Sequence, residues 1–64
     1  MRQVIEAFKR HFEALEPFLD ERTKRLCAAS MAKELGHGGI KQISEITKIS
    51  QETVTKGLKE LGDP

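Results

Sequence analysis

With 64 residues, 38% hydrophobic and 33% charged, no Trp or Tyr and three Phe, the chain holds one small domain. A domain this short buries only about 60% of the surface its unfolded form exposes, so its core must be economical. The formal net charge of +1 excludes a strongly basic binder that works by bulk attraction to nucleic acid, and no apolar run nears the roughly 18 residues of a membrane span.

Cys27 is the only cysteine, which rules out an intrachain disulfide or a cysteine-based zinc site and fits a reducing, cytoplasmic setting. The N-terminal stretch interleaves charges throughout and so lacks the apolar centre of a signal peptide.

At about 100° per residue, Val4, Ile5, Phe8, Phe12 and Leu15 fall in one stripe, with Glu6, Lys9, Arg10 and Glu13 opposite. That pattern predicts a surface helix with one buried face. Glu6 and Arg10 stand in the order that favours a helical ion pair. His11 lies at the edge of the stripe, as a packed or partly exposed side chain. Pro17 stops the helix.

Asp20 is placed to cap a second helix, with Glu21 adding favourable negative charge to its first turn. Arg22, Lys24 and Arg25 read as a solvated helix start, and the other reading is contact with DNA backbone. From Leu26 to Ala32 the residues are apolar or small nearly all the way round, which predicts a central helix packed on several sides, with Cys27 as a small core residue. The helix is expected to end near Leu35, closed by a left-handed Gly36.

After the connection His37-Gly38-Gly39, a third helix is expected from about Ile40, with Ile40, Ile43 and Ile46 on adjoining parts of one face. Ile49 turns inward between helices, and Ser50 caps a fourth helix to Leu61 in which Val54, Leu58 and Leu61 face the core. The expected fold is all-α, four short helices, the last two forming a helix-turn-helix over residues 40–61. A short helix, a tight turn holding an apolar residue, and a second helix with a free outer face are what entry into a DNA major groove requires. Lys48 stands where such turns commonly use glycine, at a conformational cost.

With Val54, Leu58 and Leu61 inward, Glu52, Lys56 and Lys59 point outward, flanked by Gln51 and Thr55 on one side and Thr53 on the other. Gln is a residue type that pairs with adenine, Thr one that meets a base or a thymine methyl, and Lys one that meets guanine or phosphate. Glu52 either accepts from a cytosine amino group or repels the backbone. The Glu52–Lys56 spacing also stabilises any exposed helix, with no function beyond that. Helix-start amides near Gly39 suit a phosphate, though a plain helix stop explains the glycines as well. The candidate DNA-binding set is therefore Gly39, Ile40, Lys41, Ser50, Gln51, Glu52, Thr53, Thr55, Lys56 and Lys59. Against it stands the charge balance from Gly36 onward, where Lys41, Lys48, Lys56 and Lys59 meet Glu45, Glu52, Glu60 and Asp63.

Residues 19–26 (LDERTKRL), 35–40 (LGHGGI) and 49–61 (ISQETVTKGLKEL) together resemble the N-terminal region of the ISAzo-type DDE insertion-sequence transposases, which carry LDER-x-x-RL, G-x-GGI and LS-x-x-TI-x-x-GL-x-EL in this order. The resemblance spans residues 19–61. It implies a helical domain that recognises the element's terminal repeats in double-stranded DNA, ahead of a catalytic domain that cuts and joins DNA at two metal ions. Such a catalytic domain needs on the order of a hundred further residues, so it is expected to be separate or missing. The chain departs from the family pattern at Cys27, where an aromatic is usual, at Lys48, where a glycine is usual, and at Thr55-Lys56, where two basic residues are usual.

No nucleophile-base pair, acid pair or metal cluster can be assembled from nearby positions, so neither an enzyme nor a cofactor is expected. Sequence-specific duplex-DNA binding is the leading reading. A protein-interaction or oligomerisation module, using the first helix or the Glu52/Lys56/Lys59 face, is the alternative.

Overall fold

The computed structural model describes residues 2–62, so Asp63, counted among the acids above, lies outside the described residues. Four α-helices follow one another: α1 (Arg2–Leu15), α2 (Glu21–Leu35), α3 (Gly39–Thr47) and α4 (Gln51–Gly62), with a 3-10 turn at Glu16–Phe18 between the first two. No strand occurs among the described residues, and the fold is all-α.

Local chemistry accounts for most of the boundaries. Pro17 lacks an amide hydrogen and cannot continue α1, so the chain tightens into the 3-10 turn. Asp20 then caps α2, its Oδ1 accepting from the Thr23 amide at 2.8 Å. This bond is the main reason the Asp20 carboxyl is held below its ordinary value of 3.8. At the other end Gly36 does have positive φ (77°), but its ψ of −133° lies outside the left-handed helical well expected for it; Gly38 occupies that well instead. Glycine at both positions lets the chain reverse within three residues and start α3 at Gly39, one residue earlier than expected.

The middle of the molecule is α2, which packs against both α3 and α4, while α1 lies chiefly against α3. Phe12, Ala28, Met31, Ala32, Ile43 and Val54 form the buried cluster, and Phe8, Leu19, Cys27, Leu35, Ile40, Ile46 and Ile49 pack around it. Burying Ile43 and Val54 completely contributes about 1.5–3 kcal/mol each. The small residues of α2 matter through what they admit. Gly57 of α4 rests on Arg25 and Ala29, so closely that a Cβ there would sit 2.7 Å from the Arg25 carbonyl oxygen and 2.9 Å from the Ala29 Cβ. One turn further on, a Cβ on Gly39 would run into the Ala32 carbonyl oxygen. Two helix backbones thus lie directly on a third.

Three residues expected in the core are exposed. Val4 and Leu15 are 42% and 49% exposed, because α1 meets α3 through Phe8 and Phe12 and nothing covers the edge of its stripe. Leu61 is 43% exposed. α4 meets α2 at Gly57 and, through Glu60, at Arg25, and Leu61 lies past these contacts.

Candidate nucleic-acid interface

The turn between α3 and α4 fixes how α4 is presented. Lys48 adopts φ 63° and ψ 21°, the left-handed conformation foreseen for this position, and its amide donates to the Ser44 carbonyl at 2.9 Å. Thr47, buried and not singled out from the sequence, ties the turn together. Its hydroxyl donates to the Ile43 carbonyl (2.7 Å) and accepts from the Ile49 amide (3.3 Å), which directs Ile49 back toward the core. Ser50 then caps α4, its Oγ accepting from the Thr53 amide at 3.2 Å and donating to the Thr53 hydroxyl at 2.9 Å.

On the outer side of α4, Gln51, Glu52, Thr55, Lys56 and Lys59 line one shallow, open depression. The other candidates lie elsewhere. Ser50 and Thr53 line a separate depression with Ile49 and with Glu21, Lys24 and Arg25 of α2, because Thr53 stands one turn before Gly57, on the side of α4 that lies on α2. Gly39 is buried, and its amide already donates to the Gly36 carbonyl at 2.9 Å. The Ile40 side chain packs against the core, and Lys41 is exposed at the start of α3, where no side chain caps the helix.

Charge is sorted by tertiary contact in a way the residue count conceals. Arg25 Nη2 donates to both carboxylate oxygens of Glu60, at 3.0 and 2.9 Å, and Nε donates to Oε1 at 3.2 Å. This bidentate pair turns Glu60 away from the outer face of α4 and toward α2. Lys24 reaches Glu16 at 3.5 Å. The expected solvated basic cluster at the start of α2 is therefore corrected: two of its three members bridge to other elements. Among the described residues these are the only ion pairs, and neither Glu6–Arg10 nor Glu52–Lys56 closes. The outer depression consequently carries two unpaired lysines and one unpaired carboxylate. Sequence spacing could not find the Arg25–Glu60 pair, since 35 residues separate its members and only the crossing of α2 and α4 brings them together.

Among the described residues, no group of three or more His, Cys, Asp or Glu side chains is placed to hold a metal ion. Burial pushes the Cys27 thiol above its ordinary range, the opposite of what a nucleophile needs. No helix among these residues is long and apolar enough to cross a membrane. No protein-family model, curated protein or solved structure matches the chain.

Proposed function

We propose that the chain binds duplex DNA sequence-specifically through a helix-turn-helix made of α3 and α4, with α4 in the major groove and no catalytic step. The observation that carries this reading is the grouping of Gln51, Glu52, Thr55, Lys56 and Lys59 on one outward face, with no ion pair among them to satisfy their charges. Base-edge recognition needs this combination of amide, hydroxyl and charged groups on a helix that is itself firmly held. The close seat of Gly57 on α2 and the hydrogen-bonded turn at Thr47 supply the rigidity.

Lys41, exposed at the start of α3, is the phosphate contact in this arrangement. The resemblance to the N-terminal region of ISAzo-type transposases supports a transposase origin, terminal repeats as the target, and action in the cytoplasm alongside a separate catalytic domain. Enrichment of binding sequences from a random duplex pool tests the reading, followed by titration of the enriched duplex and its scrambled counterpart at two salt concentrations. Preference for the enriched duplex at both salts is expected; equal, very weak binding to both duplexes would overturn the proposal.

A further inference from the structure

The outer face of α4 carries one acid, Glu52, and its direction decides what that acid does in a DNA groove. A carboxylate set toward the walls of the major groove repels phosphate, whereas one set toward the floor meets base edges. At about 100° per residue, the line opposite the buried pair Val54 and Gly57 passes about 10° from Glu52, with Thr55 and Lys56 about 50° to either side. Lys59 shares the central direction but stands two turns later, about 10 Å along the axis. The early residues of the second helix are those that reach base edges in a helix-turn-helix, and Glu52 is the second residue of α4.

The carboxylate is also free to act. Glu60, the other acid of α4, is clasped by Arg25 and turned toward α2. Lys56 stands one turn after Glu52, in the order that favours a helical ion pair, yet does not close on it. Glu52 is therefore the only unpaired acid of α4 among the described residues, and it lies in the same depression as Gln51, Thr55, Lys56 and Lys59.

We infer that Glu52 fixes one base of the recognised sequence as cytosine, its carboxylate accepting from the exocyclic N4 amino group in the major groove. This rests on the duplex-DNA reading of α4 and adds a named base to it. A carboxylate accepts and does not donate, so the N7 and O6 of guanine and the O4 of thymine, all acceptors, repel it. Adenine offers an N6 amino donor, but the neighbouring N7 acceptor suits an amide, with one group of each kind, better than a carboxylate. Cytosine presents a donor alone. At every other base the carboxylate is left unpaired in a phosphate-lined groove, so Glu52 discriminates by exclusion as well as by attraction. A chain of net charge +1 has little bulk attraction to mask that exclusion.

Selection from a random duplex pool is the test, run in parallel on the native, Glu52→Ala and Glu52→Gln chains, each first checked for native helical circular dichroism. The native chain is expected to enrich cytosine at one position, and replacing that base pair by any other to weaken its binding at least about 5-fold. Glu52→Ala is expected to keep the rest of the enriched sequence, lose preference at that position, and bind a scrambled duplex more tightly than the native chain does. Glu52→Gln is expected to admit adenine there. Variants that keep the cytosine preference and bind every duplex more tightly would show that Glu52 only repels phosphate, overturning the inference while DNA binding stands. Loss of preference at a base other than cytosine would overturn it too. A native chain that enriches no sequence would remove the DNA reading and this inference together.

Discussion

Arg25 and Glu60 form the only side-chain clasp between α2 and α4 among the described residues, and it is bidentate and partly shielded, with 18% and 30% of the two side chains exposed. Planar two-point pairing of this kind fixes direction as well as distance, so it holds the C-terminal half of α4 against rotation about its own axis. A double-mutant cycle with Arg25→Met and Glu60→Gln is expected to give a coupling of about 1 kcal/mol that declines as salt rises. Coupling near zero would mean that the packing at Gly57 alone positions α4.

At Gly57 the expected effect runs against helix propensity. Alanine there gains about 1 kcal/mol of intrinsic helix preference, but its methyl meets backbone oxygen at 2.7 Å and the Ala29 methyl at 2.9 Å. Gly57→Ala should therefore destabilise the fold, by about 1–3 kcal/mol. Gly62→Ala, with nothing near its position, should leave the midpoint of thermal unfolding unchanged or slightly raised. The same response from both variants would show that α4 does not depend on the close crossing.

Lys48 holds a left-handed backbone conformation that disfavours any residue with a Cβ. Lys48→Gly is expected to stabilise the chain by about 0.5–1 kcal/mol once the greater freedom of glycine in the unfolded state is set against the relieved strain. Lys48→Val should act in the opposite direction. Urea unfolding of the three chains reads both effects, and a less stable glycine variant would show that the lysine makes a compensating contact.

Asp20 yields a pH dependence. Its carboxyl is depressed in the folded chain by the Thr23 amide and hydroxyl, so the ionised form stabilises the fold at pH above the ordinary carboxylate value of 3.8. That contribution is lost as pH falls through the depressed value. Asp20→Ala is thus expected to melt earlier than the native chain at neutral pH, and the difference should shrink in acid below the usual carboxylate range. A difference that grows on acidification would contradict the cap as the cause.

On the outer face of α4, Lys56→Ala and Lys59→Ala should weaken binding to enriched and scrambled duplexes alike and lower the salt slope by about 1 each, if they meet phosphate. Gln51→Ala should instead cost about 1–3 kcal/mol on the enriched duplex alone. Lysine variants that bind as the native chain does would remove this face from the interface.

The four helices were legible in the sequence because their limits are set by short-range chemistry at Pro17, Asp20, Gly36 and Ser50, where neighbouring residues decide the outcome. Periodicity also identified the outer side of α4, since Val54 points inward and its opposite face follows. It could not tell that Val4, Leu15 and Leu61 would stay exposed: an apolar stripe records which way a helix faces, while the reach of its neighbour decides how much is covered. Ser50, expected as the cap, and Thr53, expected on the flank away from Gln51 and Thr55, were counted among the candidate DNA contacts, but that flank is the one the Gly57 crossing turns toward α2. Thr47 escaped notice because a buried threonine looks, in sequence, like any exposed one.

The alanines of α2 bear on which substitutions the chain tolerates. Ala29 and the backbone of Ala32 support α4 and α3 at Gly57 and Gly39, so enlarging Ala29, Gly57 or Gly39 pushes two helices apart. Large side chains at the rim, such as Phe18, can be replaced without disturbing a neighbour. In a library of random variants, the tightest restriction should thus fall on the residues with the least side chain to lose, and compensating pairs of changes should link α2 to Gly39 or Gly57 across the helix crossings.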